Sequence, residues 1–342
     1  MDLNYKEIKH PRLAYMPEHM LNFMQIDLCG KCNANCLKCG GRAVQDGSEI
    51  PLNKSKEILQ AALDLNIKEI YLTCNAELTM YSKVIELLSW ISGWTSRRYI
   101  RFDTNGLYIP DGMIETILRA KNTLFDVSMS LWGGTAEYYK ECHGVDAFER
   151  VEKNIRRYIN ELKHFRVSSV YMKREQVESV TQFLKKLAHE YGKEFRVYNG
   201  STMNDVEYWA EHNILSLVIR KHYGLFEDTQ NPKYGKYEQK DGKVQQLQIR
   251  YHGEPMELPQ CGNCHILGNR IQILPNGDII PCMNMAGSFG VNRHVMGNVN
   301  ENHVDAEWLL GLYKSERFRS WMHNNLYGMA FPQCAGCLSR MC

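Results

Sequence analysis

A chain of 342 residues with 44% hydrophobic and 23% charged side chains has ordinary globular composition, long enough for a barrel-sized domain and a smaller module. Its formal net charge of +2, with no basic run beyond pairs such as Arg97-Arg98 and Lys185-Lys186, argues against a nucleic-acid partner. The start carries no apolar signal core and no run is long enough to span a bilayer, so a cytoplasmic protein with no membrane partner is expected.

Twelve cysteines in such a compartment point to metal or redox sites in preference to a disulfide framework. Four crowd residues 29 to 39, six lie between 261 and 342, and Cys74 and Cys142 fall between. Clustering of this kind is not how buried cysteines are used as small hydrophobes.

In chain order, a short extension (1–22) precedes a strand at Met24 to Leu28, which runs into Cys29-Gly-Lys-Cys32-Asn-Ala-Asn-Cys36-Leu-Lys-Cys39. Strand and helix signals then alternate to about residue 200. Further strands are expected at Glu69 to Thr73, Tyr99 to Asp103, Phe125 to Ser130, Val167 to Met172 and Glu194 to Tyr198. Between them, Ile58, Leu59, Ala62, Leu63 and Leu65 form a helical stripe. So do Val151, Ile155, Tyr158, Ile159 and Leu162, and Val180, Phe183, Leu184, Leu187, Ala188 and Tyr191. Such alternation makes a parallel sheet with right-handed connections, and six units are too few to close an eight-unit barrel.

Residues 201–255 read as a connecting segment: Trp209 to Tyr223 has a helical pattern, and Asp228 to Gly242 is polar and rich in breakers. From 256 to 342 the chain carries Cys261-x2-Cys264, a hairpin signal around Asn276-Gly277 that delivers Cys282, a helix with Trp308, Leu309 and Leu312, then Cys334-x2-Cys337 and the final Cys342.

Thiolates select soft metals, chiefly zinc and iron-sulfur clusters, and a cubane cluster normally takes one thiolate per iron. Cys32-x3-Cys36-x2-Cys39 therefore suggests one iron left open, with a zinc knuckle as the alternative, and the spacing resembles the signature of radical S-adenosylmethionine (SAM) enzymes. The resemblance implies a partial (β/α)6 TIM-like barrel over 23–200 whose open iron chelates SAM and whose reductive cleavage yields a 5'-deoxyadenosyl radical. It departs from the family at Lys38, where an aromatic residue is usual. Cys29 reads as a strand-end residue. By the same resemblance Glu77 in Thr73-Cys74-Asn75-Ala76-Glu77, then Thr104 and Asn105 in Thr104-Asn105-Gly106, then Ser130 and Lys173 at later strand ends, would contact SAM. Two of the family's glycines are here Asn75 and Ala76. Plainer roles remain open: Glu77 as a helix-start carboxylate, Ser130 and Lys173 as ordinary loop residues.

Cys264-x12-Gly277-x4-Cys282 followed by a remote C-x2-C resembles the SPASM and Twitch extensions of the same enzymes, in a C-terminal SPASM/Twitch-like iron-sulfur module. It implies one auxiliary [4Fe-4S] cluster on Cys264, Cys282, Cys334 and Cys337, with Cys261 or Cys342 as substitutes; zinc on the two C-x2-C pairs is the alternative. The implied activity is hydrogen abstraction followed by two-electron oxidation of a small sugar-like or aminocyclitol alcohol. Peptide crosslinking, oxidation or epimerisation is the second reading, and a non-catalytic metal-binding module the third. A low-potential donor such as flavodoxin or ferredoxin would supply electrons. The sequence assigns no catalytic base and leaves His143 and Asp126 as open candidates.

Overall fold

The computed structural model describes residues 21–37, 39, 44–72, 75–171, 173–198, 203–221, 270–282, 295–319 and 321, and short backbone pairs at 239–240, 243–244, 249–251, 254–256, 263–264 and 340–341. Lys38, Thr73, Cys74, Met172, Cys261, Cys334, Cys337 and Cys342 lie outside the described residues, as does the expected polar stretch from Asp228 to Tyr237.

The strands are β1 (Phe23–Ile26), β2 (Glu69–Leu72), β3 (Arg98–Thr104), β4 (Thr123–Ser130), β5 (Arg166–Tyr171), β6 (Glu194–Tyr198), β7 (Ile214–Lys221), β8 (Arg270–Ile273), β9 (Asp278–Ile280) and β10 (Gly297–Asn298). They form one ten-stranded sheet in the order β10-β9-β8-β1-β2-β3-β4-β5-β7-β6, parallel from β8 through to β6. The sheet has two ends, as an open partial barrel requires. The helices are α1 (Leu52–Asp64), α2 (Val84–Ser92), α3 (Met113–Arg119), α4 (Ala136–His143), α5 (Phe148–Glu161), α6 (Arg174–Glu190), α7 (Met203–Glu211) and α8 (Ala306–Lys314). The helical stripes lie where their period puts them: Val151, Ile155, Tyr158 and Ile159 are buried on α5, and Val180, Leu184, Leu187 and Ala188 on α6. No helix among the described residues is long and apolar enough to cross a membrane.

Two differences from expectation concern topology. Trp209 to Tyr223 is not one helix: α7 ends at Glu211 and the chain enters β7. The run Ile214-Leu-Ser-Leu-Val-Ile is short, apolar and partly β-branched, a pattern that periodicity cannot tell from a buried helix. β7 also inserts between β5 and β6, so the strand at Glu194 to Tyr198 ends the sheet. The second difference is that β8, from the expected C-terminal module, pairs in parallel with β1 and continues the barrel sheet.

Strand alternation gives the barrel two unlike faces. Ile70, Leu72, Ile100, Phe102, Phe125, Val127, Val167 and Leu217 belong to the main hydrophobic core. The intervening positions Gln25, Asp27, Arg101, Asp126, Ser128, Arg166, Ser168, Ser216 and Gln272 are buried and polar. These nine come from β1, β3, β4, β5, β7 and β8 and the residue after β1, and the period of two places them on the opposite face.

Candidate metal centre at the strand C-terminal ends

The loop after β1 is fastened at several points. Gly30 N donates to the Ser48 carbonyl at 2.8 Å, Glu77 N to the Lys31 carbonyl at 2.9 Å, Asn35 N to the His143 carbonyl at 3.0 Å and Leu37 N to the Cys142 carbonyl at 2.9 Å. Loops after β1 and β2 and the C-terminal end of α4 thus frame one small region. Cys29 is completely buried, its thiol donates to the Glu77 carbonyl at 3.3 Å, and burial pushes its pKa up to about 12. That is the environment of a strand-end residue.

Each sulfur of the three-cysteine pattern faces a neutral nitrogen group from a different part of the fold. Asn105 Nδ2 lies 3.7 Å from Cys32 Sγ, His143 Nδ1 lies 3.4 Å from Cys36 Sγ, and Gln45 Nε2 donates to Cys39 Sγ at 3.5 Å. Burial holds the Cys32 thiol up at about 11, with the backbone N–H of Ala34 and the Asn105 amide only partly offsetting it. A thiol so placed ionises readily only when a cation binds it, while N–H groups aimed at sulfur suit a thiolate. The Tyr139 hydroxyl is buried without a hydrogen-bond partner among the described residues, within electrostatic reach of Cys36, Glu77 and Cys32. This donor set fits an iron-sulfur cluster. Among the described residues no three His, Cys, Asp or Glu side chains converge on a single metal ion; sulfurs on separate corners of a cube need not.

Glu77, Thr104 and Asn105 are brought together. Glu77 is buried and precedes a 3-10 turn at Leu78–Met80. Its Oε1 accepts from Thr79 N at 3.2 Å, Thr79 Oγ1 at 2.9 Å and Thr104 Oγ1 at 2.8 Å, and its Oε2 accepts from Asn105 N at 2.7 Å. Burial raises its pKa against the pull of these donors. The cap role allowed for Glu77 is therefore present, and it extends to the loop after β3. Ser130 ends β4, half-buried, in register with Ser168. Lys173 is not joined to this group among the described residues; its ammonium pairs with Glu141 near the surface.

Several residues of the region carried no motif. Gln45 also donates to the Asn75 carbonyl at 3.2 Å, Asn75 Nδ2 to Asp27 Oδ2 at 2.6 Å and Gln272 Nε2 to the same oxygen at 3.3 Å, a polar chain from β8 to Cys39. Deeper in, Asp126 lies 2.9 Å from Arg166 Nη2 and 2.9 Å from His164 Nε2, and accepts from Tyr99. Burial opposes its charge, but Arg166, His164 and Arg101 hold its carboxyl well below the usual range. A carboxylate so stabilised is a poor base. The available signal was the alternation itself, since interior positions of parallel barrels are usually filled with branched apolar residues.

Of the auxiliary cysteines, Cys282 is buried just beyond β9, where the β8–β9 hairpin turns with Gly277 N donating to the Leu274 carbonyl at 2.8 Å. Cys264 pairs with Arg340 in a short antiparallel ladder.

Comparison with known proteins gives a consistent result. Residues 261–338 match the SPASM iron-sulfur cluster-binding domain. Streptococcus suis SuiB aligns with TM-score 0.58 and 18% identity over 89% of this chain and 68% of its own. Its complex with S-adenosylmethionine gives 0.56 and 17%, over 88% and 65%. Histidine-tagged anSMEcpe with bound AdoMet gives 0.55 and 15%, over 89% and 80%. No curated protein matches. The chain spans about 65% of the length of the SAM-bound SuiB chain. It has the fold of radical SAM enzymes. Toward its C-terminal end, residues 261–338 match an iron-sulfur cluster-binding domain of the SPASM type.

Proposed function

We propose that this chain is a radical SAM enzyme that uses SAM to remove a hydrogen atom from its substrate, the substrate radical then losing a second electron to an auxiliary cluster and a proton to a base. When bound, the cluster and SAM supply reductive cleavage of the sulfonium and a 5'-deoxyadenosyl radical. Cys32, Cys36 and Cys39 hold the first cluster and leave one iron for SAM. Cys264, Cys282, Cys334 and Cys337 hold the second. The observation that carries this reading is the matching of three thiols to three nitrogen groups at the strand C-terminal ends, where barrels of this type build their sites. Glu77, Thr104 and Asn105 shape the adjoining SAM subsite, Glu77 by holding the loops after β2 and β3 together. Ser130 is placed to meet the ribose or carboxylate. The polar inner face of the barrel receives substrate and excludes bulk water.

Two substrate classes follow from different observations. Near-neutral composition and the polar barrel face favour a small polyol or aminocyclitol alcohol oxidised to a carbonyl. A peptide is favoured by the likeness to SuiB bound to precursor peptide SuiA, with TM-score 0.55 and 16% identity over 93% of this chain and 70% of the other. BtrN in complex with AdoMet and 2-DOIA reaches a TM-score of 0.44, which carries no weight for either class.

Anaerobic purification with iron and sulfide analysis is expected to give about eight irons per chain. Dithionite with SAM is expected to give 5'-deoxyadenosine. Cys36→Ala should abolish that product; retained cleavage would exclude the ligand assignment, and an iron-free wild type would exclude the class.

A further inference from the structure

The imidazole of His143 is fixed from both sides. The main-chain N–H of Trp132 donates to Nε2 across 3.0 Å, so that nitrogen presents its lone pair and the neutral ring carries its proton on Nδ1. Nδ1 lies 3.4 Å from Cys36 Sγ, which puts that proton toward the sulfur. The ring is completely buried and stacks on Tyr139 with centroids 4.4 Å apart and planes 20° from parallel. The carbonyls of Cys142 and His143 accept from Leu37 and Asn35, so the residues on either side of Cys36 are tied to the segment that carries the ring. The amides near the other two sulfurs divide their attention: Asn105 Nδ2 also donates to Asn33 Oδ1 at 2.7 Å, and Gln45 Nε2 to the Asn75 carbonyl at 3.2 Å. His143 Nδ1 has Cys36 as its partner.

We propose that His143 is a positioning residue for the SAM-binding cluster: as the Nδ1–H tautomer it donates to the Cys36 sulfur and makes reduction of the bound cluster more favourable. This rests on the reading of Cys36 as a cluster ligand. An added electron places more negative charge on the thiolate sulfurs, and a fixed donor is worth more to the reduced form than to the oxidised one. Hydrogen bonds from such outer residues tune metal sites by factors of about ten to a hundred.

The test uses full-length, reconstituted protein and an anaerobic redox titration followed by electron paramagnetic resonance, with the SAM-sensitive signal identifying the cluster concerned. His143→Phe keeps an aromatic ring against Tyr139 and removes the donor. It is expected to load the same iron and to shift the midpoint potential downward, by about 59 mV for each tenfold loss in the one-electron equilibrium. His143→Asn offers an amide N–H near the position of Nδ1 and is expected to restore most of the shift. An unchanged potential in His143→Phe with full iron, or equal shifts in both variants, overturns the proposal. Should His143→Phe fail to fold, wild type labelled with 15N-histidine still decides. Pulsed resonance on the reduced cluster must then show a weak 15N coupling, and its absence overturns the assignment. A wild type that binds no iron instead overturns the reading of Cys36, a result distinct from either.

Discussion

The backbone N–H of Asn105 donates to Glu77 Oε2 across 2.7 Å, joining the loop after β3 to the loop after β2 through a carboxylate that also accepts from Thr79 and Thr104. Glu77→Gln keeps the shape but turns one acceptor into a donor. A buried N–H or hydroxyl is then left facing another donor, a loss of about 1–3 kcal/mol. Urea unfolding of the apo chain should show a lower midpoint with an unchanged slope. Wild-type stability in this variant would mean that the carboxylate does not hold the two loops.

Gly144 closes α4 in the left-handed conformation, at φ +67°, and a Cβ there would meet the Asn35 carbonyl at 2.2 Å. Gly192 has a similar φ of +60° with nothing within 4 Å of its Cβ position. The pair separates backbone strain from collision. Gly192→Ala should cost roughly 1–2 kcal/mol from the left-handed backbone. Gly144→Ala should cost that and about 1–3 kcal/mol more from forced overlap, with faster alkylation of Cys36 as the loop moves away. Equal melting temperatures for the two variants would show that the close approach carries no energy.

Much of this architecture was readable because it is periodic. The stripe from Val151 to Ile159 repeats at the helical period and is buried as the period requires, and the strand at Glu194–Tyr198 has the expected limits. The misreading at Ile214–Lys221 arose where a short apolar run satisfies both periods, and the insertion of β7 between β5 and β6 is a long-range pairing that no local pattern encodes. The three-cysteine spacing marked the candidate site, but its donors are remote in sequence. Asn105 lies 73 residues from Cys32 and His143 lies 107 from Cys36. Gln45 is near Cys39, yet a lone glutamine in a loop has no distinguishing spacing. Lys173 shows the converse: a cation at a strand end invites a ligand role, and its ammonium is paired with Glu141.

Asp126 is the acidic centre of the buried barrel network, and its charge balances Arg166 and the more distant Arg101, whose Nε is 4.0 Å away. Asp126→Asn removes the carboxylate of the buried Arg166–Asp126 pair, while Arg101 keeps Asp103 at 3.0 Å, and should destabilise the chain by about 3–5 kcal/mol. The pH dependence follows from the lowered folded pKa. The stabilisation from this group is complete above the unfolded carboxyl pKa of about 3.9 and is lost as pH falls below it toward the folded value. Wild type should therefore lose stability below pH 4 more steeply than Asp126→Asn, by up to about 1.4 kcal/mol per pH unit. Parallel curves from unfolding measured across pH 2–5 would remove Asp126 as the source.

Cys282 tests the second centre independently of the first. β8 continues the barrel sheet beside β1, and the hairpin to β9 leads directly to the buried Cys282. The ladder that sets Cys264 opposite Arg340 brings in a second strand from the same module. Cys282→Ala removes one proposed auxiliary ligand and none of Cys32, Cys36 or Cys39. Iron should fall from about eight to about four per chain. SAM cleavage with dithionite should survive, uncoupled from product, because in the proposed reaction the auxiliary cluster takes its electron only after hydrogen abstraction. Unchanged iron would remove Cys282 from the ligand set. Loss of SAM cleavage together with the iron would show that the two centres are not separable, and electron transfer after abstraction would no longer describe what the auxiliary cluster does.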